Sequence, residues 1–266
     1  MEIKTLTIMG GQSKTGEKEL VKQIDLEMGQ IISIVGPTGS GKTELINDIE
    51  RFANENTPSM RKVLINGEIA PEEVSYNPSI NPIALITQHT NFLSDLPVYK
   101  FLETHAEIRL GNRTQEIVKK TLDFANQLTG ESIILESAMT ELSGGQSRAL
   151  LIADAVIIGN SPIILLDEIE NAGINRTRAL ELLKDYEKIF IFVTHDPRIA
   201  LLSDFRIVMK NGAMQKVIVR GKREKLVADE LRKMDDLLSD YRAKIRAGDE
   251  LDEEEFTQKL KAYGYL

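Results

Sequence analysis

One octapeptide limits this chain more than any other stretch. Gly36-Pro37-Thr38-Gly39-Ser40-Gly41-Lys42-Thr43 fits the phosphate-loop pattern G-x-x-x-x-G-K-[ST] at every fixed position. The apolar run Ile31-Ile32-Ser33-Ile34-Val35 precedes it and reads as a buried strand, and Leu45, Ile46 and Ile49 follow at helical spacing. Strand, glycine loop and helix are the context in which the motif acquires its chemistry. The glycines let successive backbone N–H groups turn inward around phosphate oxygens, and the helix N-terminus adds partial positive charge. Lys42 can reach β- and γ-phosphates, and the Thr43 hydroxyl can ligate Mg²⁺. The stretch predicts a site for a nucleoside triphosphate.

Composition narrows the setting. A chain of 266 residues, 42% hydrophobic and 28% charged, can bury a sizeable core in one large domain or two smaller ones. Its formal net charge of −8 argues against a nucleic-acid partner held by bulk electrostatics. With no cysteine there are neither disulfides nor thiolate metal sites, which suits a reducing cytoplasm. The apolar runs are strand-sized and none is long enough for a bilayer, so any membrane role calls for a separate membrane partner. Residues 1–30 lack a signal-peptide core.

In chain order, strands are expected at 2–9, 20–28 and 31–35, at 63–67 with an Asn-Gly turn, and at 83–87. Residues 70–82, with three prolines, read as irregular. A helical pattern runs over 98–128, further helices are expected at 144–158 and 178–183, and short buried strands at 163–166 and 189–193.

Four further stretches matter through their order. Gln88 closes the strand before the helical insertion. Leu142-Ser143-Gly144-Gly145-Gln146 is a glycine-rich turn at a helix start. Ile163-Ile164-Leu165-Leu166-Asp167-Glu168 is an apolar strand ending in two carboxylates, and Phe192-Val193-Thr194-His195-Asp196 one ending in a histidine. With the phosphate loop, these stretches resemble an ATP-binding cassette (ABC) ATPase over residues 2–216. The resemblance implies an α/β fold: a phosphate-loop core with a mixed sheet and an antiparallel β portion, and a helical insertion at about 89–160. That ATPase domain would span 1–220, and a helical extension 221–266.

The resemblance also implies roles. The loop from Gly36 to Thr43 would cradle ATP. Asp167 would hold Mg²⁺ with Thr43 and Gln88, and Glu168 would polarise the attacking water. Gln88 and His195 would sense the γ-phosphate. Ser143, Gly144, Gly145 and Gln146 would contact ATP bound by a second copy, making the active unit a head-to-tail homodimer. Two functions follow: the ATP-binding subunit of a membrane transporter, driving a separate permease, or an ATPase that remodels a soluble protein. Either places the chain in the cytoplasm, the first peripherally on the inner membrane face through its partner.

The chain departs from the family pattern at three places. No Phe, Tyr or Trp precedes Phe52, so the aromatic that usually stacks on adenine is missing. The run after Glu168 is Ile169-Glu170-Asn171-Ala172-Gly173-Ile174-Asn175, with Asn175 the nearest substitute for the usual interface aspartate. Asp154 stands where transporter cassettes usually carry arginine. His89 and His105 read as structural. Beyond about Gly221 the resemblance ends. There Leu226, Leu231, Met234, Leu237, Leu238, Tyr241 and Ile245 form a broad helical stripe, which must pack on the chain's own core, a second subunit or a partner. The basic cluster around Lys222 reads as a solvated face.

Overall fold

The computed structural model describes residues 2–77, 80–111, 115–129, 131–168 and 176–266. It divides into two compact units, Met1–Val219 and Arg220–Leu266.

Two sheets carry the larger unit. Alternating apolar residues produce β1 (Thr5–Met9) and β2 (Gln23–Glu27), whose inward side chains Leu6, Ile8, Ile24 and Leu26 are buried. With β4 (Lys62–Ile65) and β5 (Glu68–Ile69) they form an antiparallel sheet in the order β2-β1-β4-β5. Asn66 and Gly67, both at positive φ (51° and 81°), make the tight turn between β4 and β5. The second sheet is built on β3 (Ile31–Val35), β6 (Ile83–Ile86), β7 (Ile163–Asp167), β8 (Ile189–Val193), β9 (Phe205–Lys210) and β10 (Ala213–Val219). Its order is β10-β9-β3-β8-β7-β6. Neighbouring strands from β9 to β6 run parallel, and β10 pairs antiparallel with β9.

The central strands are apolar on both faces because both are covered. Ile31, Ile164, Leu166, Phe190 and Phe192 point to one side, against α3 (Val98–Leu110), α4 (Gln115–Leu128), α5 (Gly144–Ile157) and α6 (Arg176–Leu183). Ile32, Ile34, Ile163, Leu165, Ile189 and Ile191 point to the other, against α1 (Lys42–Glu50) and the antiparallel sheet. Within the helical layer His105 Nδ1 lies 2.7 Å from Asp154 Oδ1, so the unexpected Asp154 is partnered inside its own layer.

The structure departs from the sequence expectation in places. Within 70–82 lies a short helix, α2 (Glu72–Tyr76), with Val74 buried. The β9–β10 hairpin and α7 (Pro197–Leu202), capped by Asp196, were not anticipated. The hairpin turns at Asn211 and Gly212 (φ 52° and 82°), the same dipeptide chemistry as Asn66-Gly67. Its strands are only partly buried and interrupted by Arg206, Lys210 and Lys216, which dilutes their apolar signal. The departure over residues 169–175 lies outside the described residues.

One buried charge cluster ties this unit together. The Arg61 guanidinium, fully buried, donates to Glu19 Oε1 at 2.6 Å, Asp48 Oδ2 at 2.8 Å and the Gly212 carbonyl at 2.7 Å. Glu19 in turn accepts from the backbone N–H groups of Gly11 (2.9 Å) and Met214 (2.6 Å), and Asp48 from the Ser59 hydroxyl (2.7 Å). Burial works against the charge on Arg61, but hydrogen bonds and attraction from Glu19 and Asp48 outweigh it and push its pKa up.

The smaller unit is a helical hairpin of α8 (Lys222–Ala247) and α9 (Glu253–Ala262). Gly248, at φ 81°, ends α8, and the Asp252 side chain caps α9 by accepting from the Glu255 N–H. Tyr241 meets Phe256 edge to face at 5.4 Å, and Lys259 sits 5.2 Å over the Tyr241 ring while also reaching Asp240 at 3.1 Å.

Arg61→Met leaves Glu19 and Asp48 buried without their cation. Loss of one partner of a buried ion pair costs about 3–5 kcal/mol, so urea unfolding should show a loss of that size in the larger unit. A change within error would remove Arg61 from this role.

Candidate functional site

The parallel strands deliver the residues that sequence reasoning selected to one edge of the sheet. The phosphate loop follows β3, Gln88 follows β6, Glu168 follows β7 and His195 follows β8. Their neighbouring positions in the order β3-β8-β7-β6 place all four at adjacent carboxyl ends, where open α/β sheets bind ligands.

The loop is shaped by close backbone approaches. A Cβ on Gly36 would stand 2.4 Å from the Met209 carbonyl oxygen, and one on Gly41, at φ 97°, would stand 2.7 Å from the Gly212 Cα. Glycine is therefore required at both positions, because β9 and its hairpin turn press against the loop. The Gly212 N–H donates to the Ser40 carbonyl at 2.8 Å, and Lys14 Nζ donates to the Gly39 carbonyl at 2.9 Å. Lys42, the first residue of α1, is buried and lies across the loop, donating to the Gly36 and Pro37 carbonyls at 2.9 and 3.2 Å. Thr43 is exposed in the first turn.

Beside the loop, β7 pairs with β8 so that Asp167 is opposite Val193. The next residues, Glu168 and His195, then face one another with Oε1 and Nε2 3.8 Å apart, both side chains open to solvent at 40% and 48% exposure. Glu168 takes positive φ (50°), which is strained for a non-glycine residue, while its N–H still bonds the Val193 carbonyl at 3.1 Å. The strand therefore turns out of the sheet at this carboxylate.

Gln88 is half-buried in a tight turn closed by Thr87 and Thr90. Its carbonyl accepts from Arg148, whose other guanidinium nitrogen donates to the Gly144 carbonyl at 3.0 Å. Arg148 is a residue that sequence reasoning missed, although its place four residues after Gly144 is the helical spacing that lets a side chain reach back one turn. Ser143 caps α5 and shares a capping box with Gln146: the Ser143 N–H donates to Gln146 Oε1 at 2.9 Å, and the Gln146 N–H to Ser143 Oγ at 3.3 Å. Gly145 follows in the first turn. Ser143 and Gly144 are exposed at this helix N-terminus. The structure thus groups the phosphate loop, Gln88, Asp167, Glu168 and His195 along the sheet edge. The 143–146 turn belongs to the helical layer and is linked to Gln88 through Arg148.

Among the described residues, no cluster of three or more His, Asp or Glu side chains could hold a metal by itself. The donors present, the Thr43 hydroxyl, the Asp167 carboxylate and the Gln88 amide, are all oxygen groups. That set fits Mg²⁺, which takes one or two protein oxygens and completes its shell with water and phosphate.

Comparison with known proteins identifies the family and the fold. The family model described as ABC transporter matches residues 22–171. An uncharacterized ABC transporter ATP-binding protein of Methanocaldococcus jannaschii is 46% identical over 98% of this chain and 100% of its own length. The methionine import ATP-binding protein MetN of Helicobacter acinonychis is 30% identical over 79% of this chain, which covers 64% of that protein. Among solved structures, cbiO1 of Clostridium perfringens, part of the ABC transporter complex cbiONQ, superposes with a TM-score of 0.62 at 20% identity, covering 87% of this chain and 94% of that one. A dimeric ATP-binding cassette bound to ADP and Pi gives 0.59 at 22% identity, covering 81% and 99%. At these identities both structures speak for the fold.

Arg148→Met keeps the aliphatic stem and removes both hydrogen bonds. Bonds of this charged kind are worth about 1.5–3 kcal/mol each. Turnover should fall by roughly 10-fold or more, with nucleotide affinity little changed. Wild-type turnover in Arg148→Met would show that the Gln88–Gly144 link carries no function.

Proposed function

The chain belongs to the ABC transporter family as an ABC-type ATPase, and from that premise we propose that two copies clamp ATP head to tail and so drive a separate membrane permease. The observation that carries this reading is the convergence of phosphate loop, Gln88, Glu168 and His195 on adjacent strand ends. The descriptions of the relatives support the transporter assignment over a soluble remodelling role. Among the described residues no helix is long and apolar enough to cross a membrane.

The mechanism follows from the residues in hand. Backbone N–H groups of Gly39, Gly41 and Lys42 surround the phosphates, while Lys42 exchanges its loop carbonyls for β- and γ-phosphate oxygens. Thr43, Asp167 and Gln88 would hold Mg²⁺, which, when bound, neutralises charge on the phosphate chain. Glu168, turned out of the sheet, accepts a proton from the attacking water as general base. His195, whose Nε2 lies 3.8 Å from Glu168 Oε1, steadies the γ-phosphate. Ser143, Gly144, Gly145 and Gln146 offer the N-terminus of α5 to the γ-phosphate held by the other copy.

Two substitutions separate binding from chemistry. Lys42→Ala should weaken ATP binding by roughly 10-fold or more, the value of a charged hydrogen bond. Glu168→Gln should bind ATP normally and lose about 10²- to 10⁴-fold in turnover, the usual contribution of a general base. Equal steady-state hydrolysis in Glu168→Gln and wild type would exclude Glu168 from this role.

Base recognition provides a further measurement. No aromatic residue precedes Phe52 to stack on adenine, and base stacking is typically worth about 1–3 kcal/mol. The loop segment that touches the phosphate loop offers Lys14 instead. GTP should therefore compete with ATP at nearly equal affinity in equilibrium titrations. A strong preference for ATP would place a recognising side chain elsewhere.

A further inference from the structure

Lys14 reaches the phosphate loop from a segment that no motif marks. It stands at the corner of a closed turn between β1 and β2. There the Ser13 N–H donates to the Glu17 carbonyl at 2.8 Å, and Ser13 Oγ accepts from the Thr15 and Glu17 N–H groups, each at 3.2 Å. The Gln12 N–H donates to the Ser59 carbonyl at 2.7 Å and the Lys14 N–H to the Asn211 carbonyl at 3.1 Å, which fixes the segment on two sides. The Lys14 stem lies against the β9–β10 turn: a Cβ on Gly212 would stand 2.7 Å from Lys14 Cγ. From that anchorage Nζ donates to the Gly39 carbonyl at 2.9 Å.

This carbonyl belongs to the tip of the phosphate loop. The Ser40 N–H, in the same planar peptide unit, donates to the Pro37 carbonyl at 3.1 Å, so one group is held at both ends, by Pro37 and by Lys14. Packing contributes little there. Thr38 and Gly39 are exposed, Gly39 has positive φ (76°), and nothing stands within 4 Å of the place a Gly39 Cβ would take. Further along the loop, the Gly212 N–H holds the Ser40 carbonyl at 2.8 Å and the Leu45 N–H holds the Gly41 carbonyl at 3.0 Å. A trans peptide points its N–H opposite to its carbonyl, so these bonds aim the Gly41 and Lys42 N–H groups the other way. A glycine tip left free would have to be ordered each time phosphate bound, and a bond that orders it in advance removes that cost.

We propose that Lys14 is a positioning residue for triphosphate binding, bracing the tip of the loop from outside while Lys42 braces its start from within. The inference rests on the phosphate-loop reading above and adds to it a residue from outside the motif. Because Lys14 acts through the Gly39 carbonyl, it serves the phosphates and is indifferent to the base. The chain has no aromatic before Phe52 to stack on a base, so affinity falls to the phosphate end, where this bond acts.

Equilibrium titrations of the full-length protein with ATP, GTP and inorganic tripolyphosphate, which has neither base nor ribose, test this. Lys14→Met keeps the stem and removes the donor. All three affinities should fall by a common factor of about 3 to 10, the worth of one exposed hydrogen bond, with kcat little changed and the melting temperature of the nucleotide-free protein within error of wild type. Lys14→Arg, which keeps a donor on a long stem, should restore binding. Lys18→Met removes the same charge from the same segment and should bind as wild type does. Unchanged affinity in Lys14→Met would overturn the proposal. So would an equal loss in Lys18→Met, which would put the effect down to net charge, or a loss confined to ATP and GTP, which would make Lys14 a reader of the nucleoside. Should Lys14→Met lower the melting temperature, Lys14→Arg decides: stability recovered without affinity would reduce Lys14 to a structural role, and the proposal would fall. A wild type that binds none of the three ligands would overturn the phosphate-loop reading itself, a result distinct from each of these.

Discussion

The fully buried guanidinium of Arg61 is the interaction on which the larger unit depends. It gathers Glu19 from the loop before β2, Asp48 from α1 and the Gly212 carbonyl from the β9–β10 turn. These belong to the antiparallel sheet, the phosphate-loop helix and the far edge of the parallel sheet, which have no continuous hydrogen-bonded strand between them. Apolar contact alone would let such layers slide; a five-donor fork with fixed directions does not. Since Gly212 also touches Gly41 and bonds Ser40, the geometry of the phosphate loop is set partly by a charge cluster on its outer side.

The parallel sheet solves the remaining problem of placement. Glu168 and His195 lie 27 residues apart in sequence but end neighbouring strands, so register brings them within 3.8 Å. The positive φ of Glu168 is a local strain that the β7–β8 pairing sustains through the Val193 carbonyl. Arg148 extends the same logic into the helical layer: one side chain bonds both the Gln88 and Gly144 carbonyls and so links α5 to the segment that follows β6.

Much of this was legible in the residues. The phosphate loop, the carboxylate pair and the strand-end histidine are short-range patterns, in which a glycine, a charge or an apolar run acts where it stands. The Ser143–Gln146 capping box is equally local, and the structure shows both of its hydrogen bonds. What escaped were features that exist only once distant segments meet. Arg61, Glu19 and Asp48 look like ordinary surface charges until the fold buries them together. The pairing of Asp154 with His105 is another such case: as a departure from a family pattern it looked like a disturbance, yet in the helical layer it is one half of a 2.7 Å contact. The β9–β10 hairpin was lost for a different reason. Its strands are too polar to announce themselves, and the Asn211-Gly212 turn was the signal that remained.

The Gly212 turn has a consequence for the order in which the molecule can be made. Every motif of the ATP site lies before residue 200, but the turn that buttresses the loop comes later, 151 residues after Arg61 in the chain, and Met214 reaches Glu19 across 195. These are among the most non-local contacts the chain makes, and such contacts form late because the intervening segment must first be ordered. A polypeptide leaving the ribosome would thus display the whole ATP-site signature before its phosphate loop had a floor. The support that Gly212 and Met214 give to the loop therefore joins it only with the last strands of the sheet.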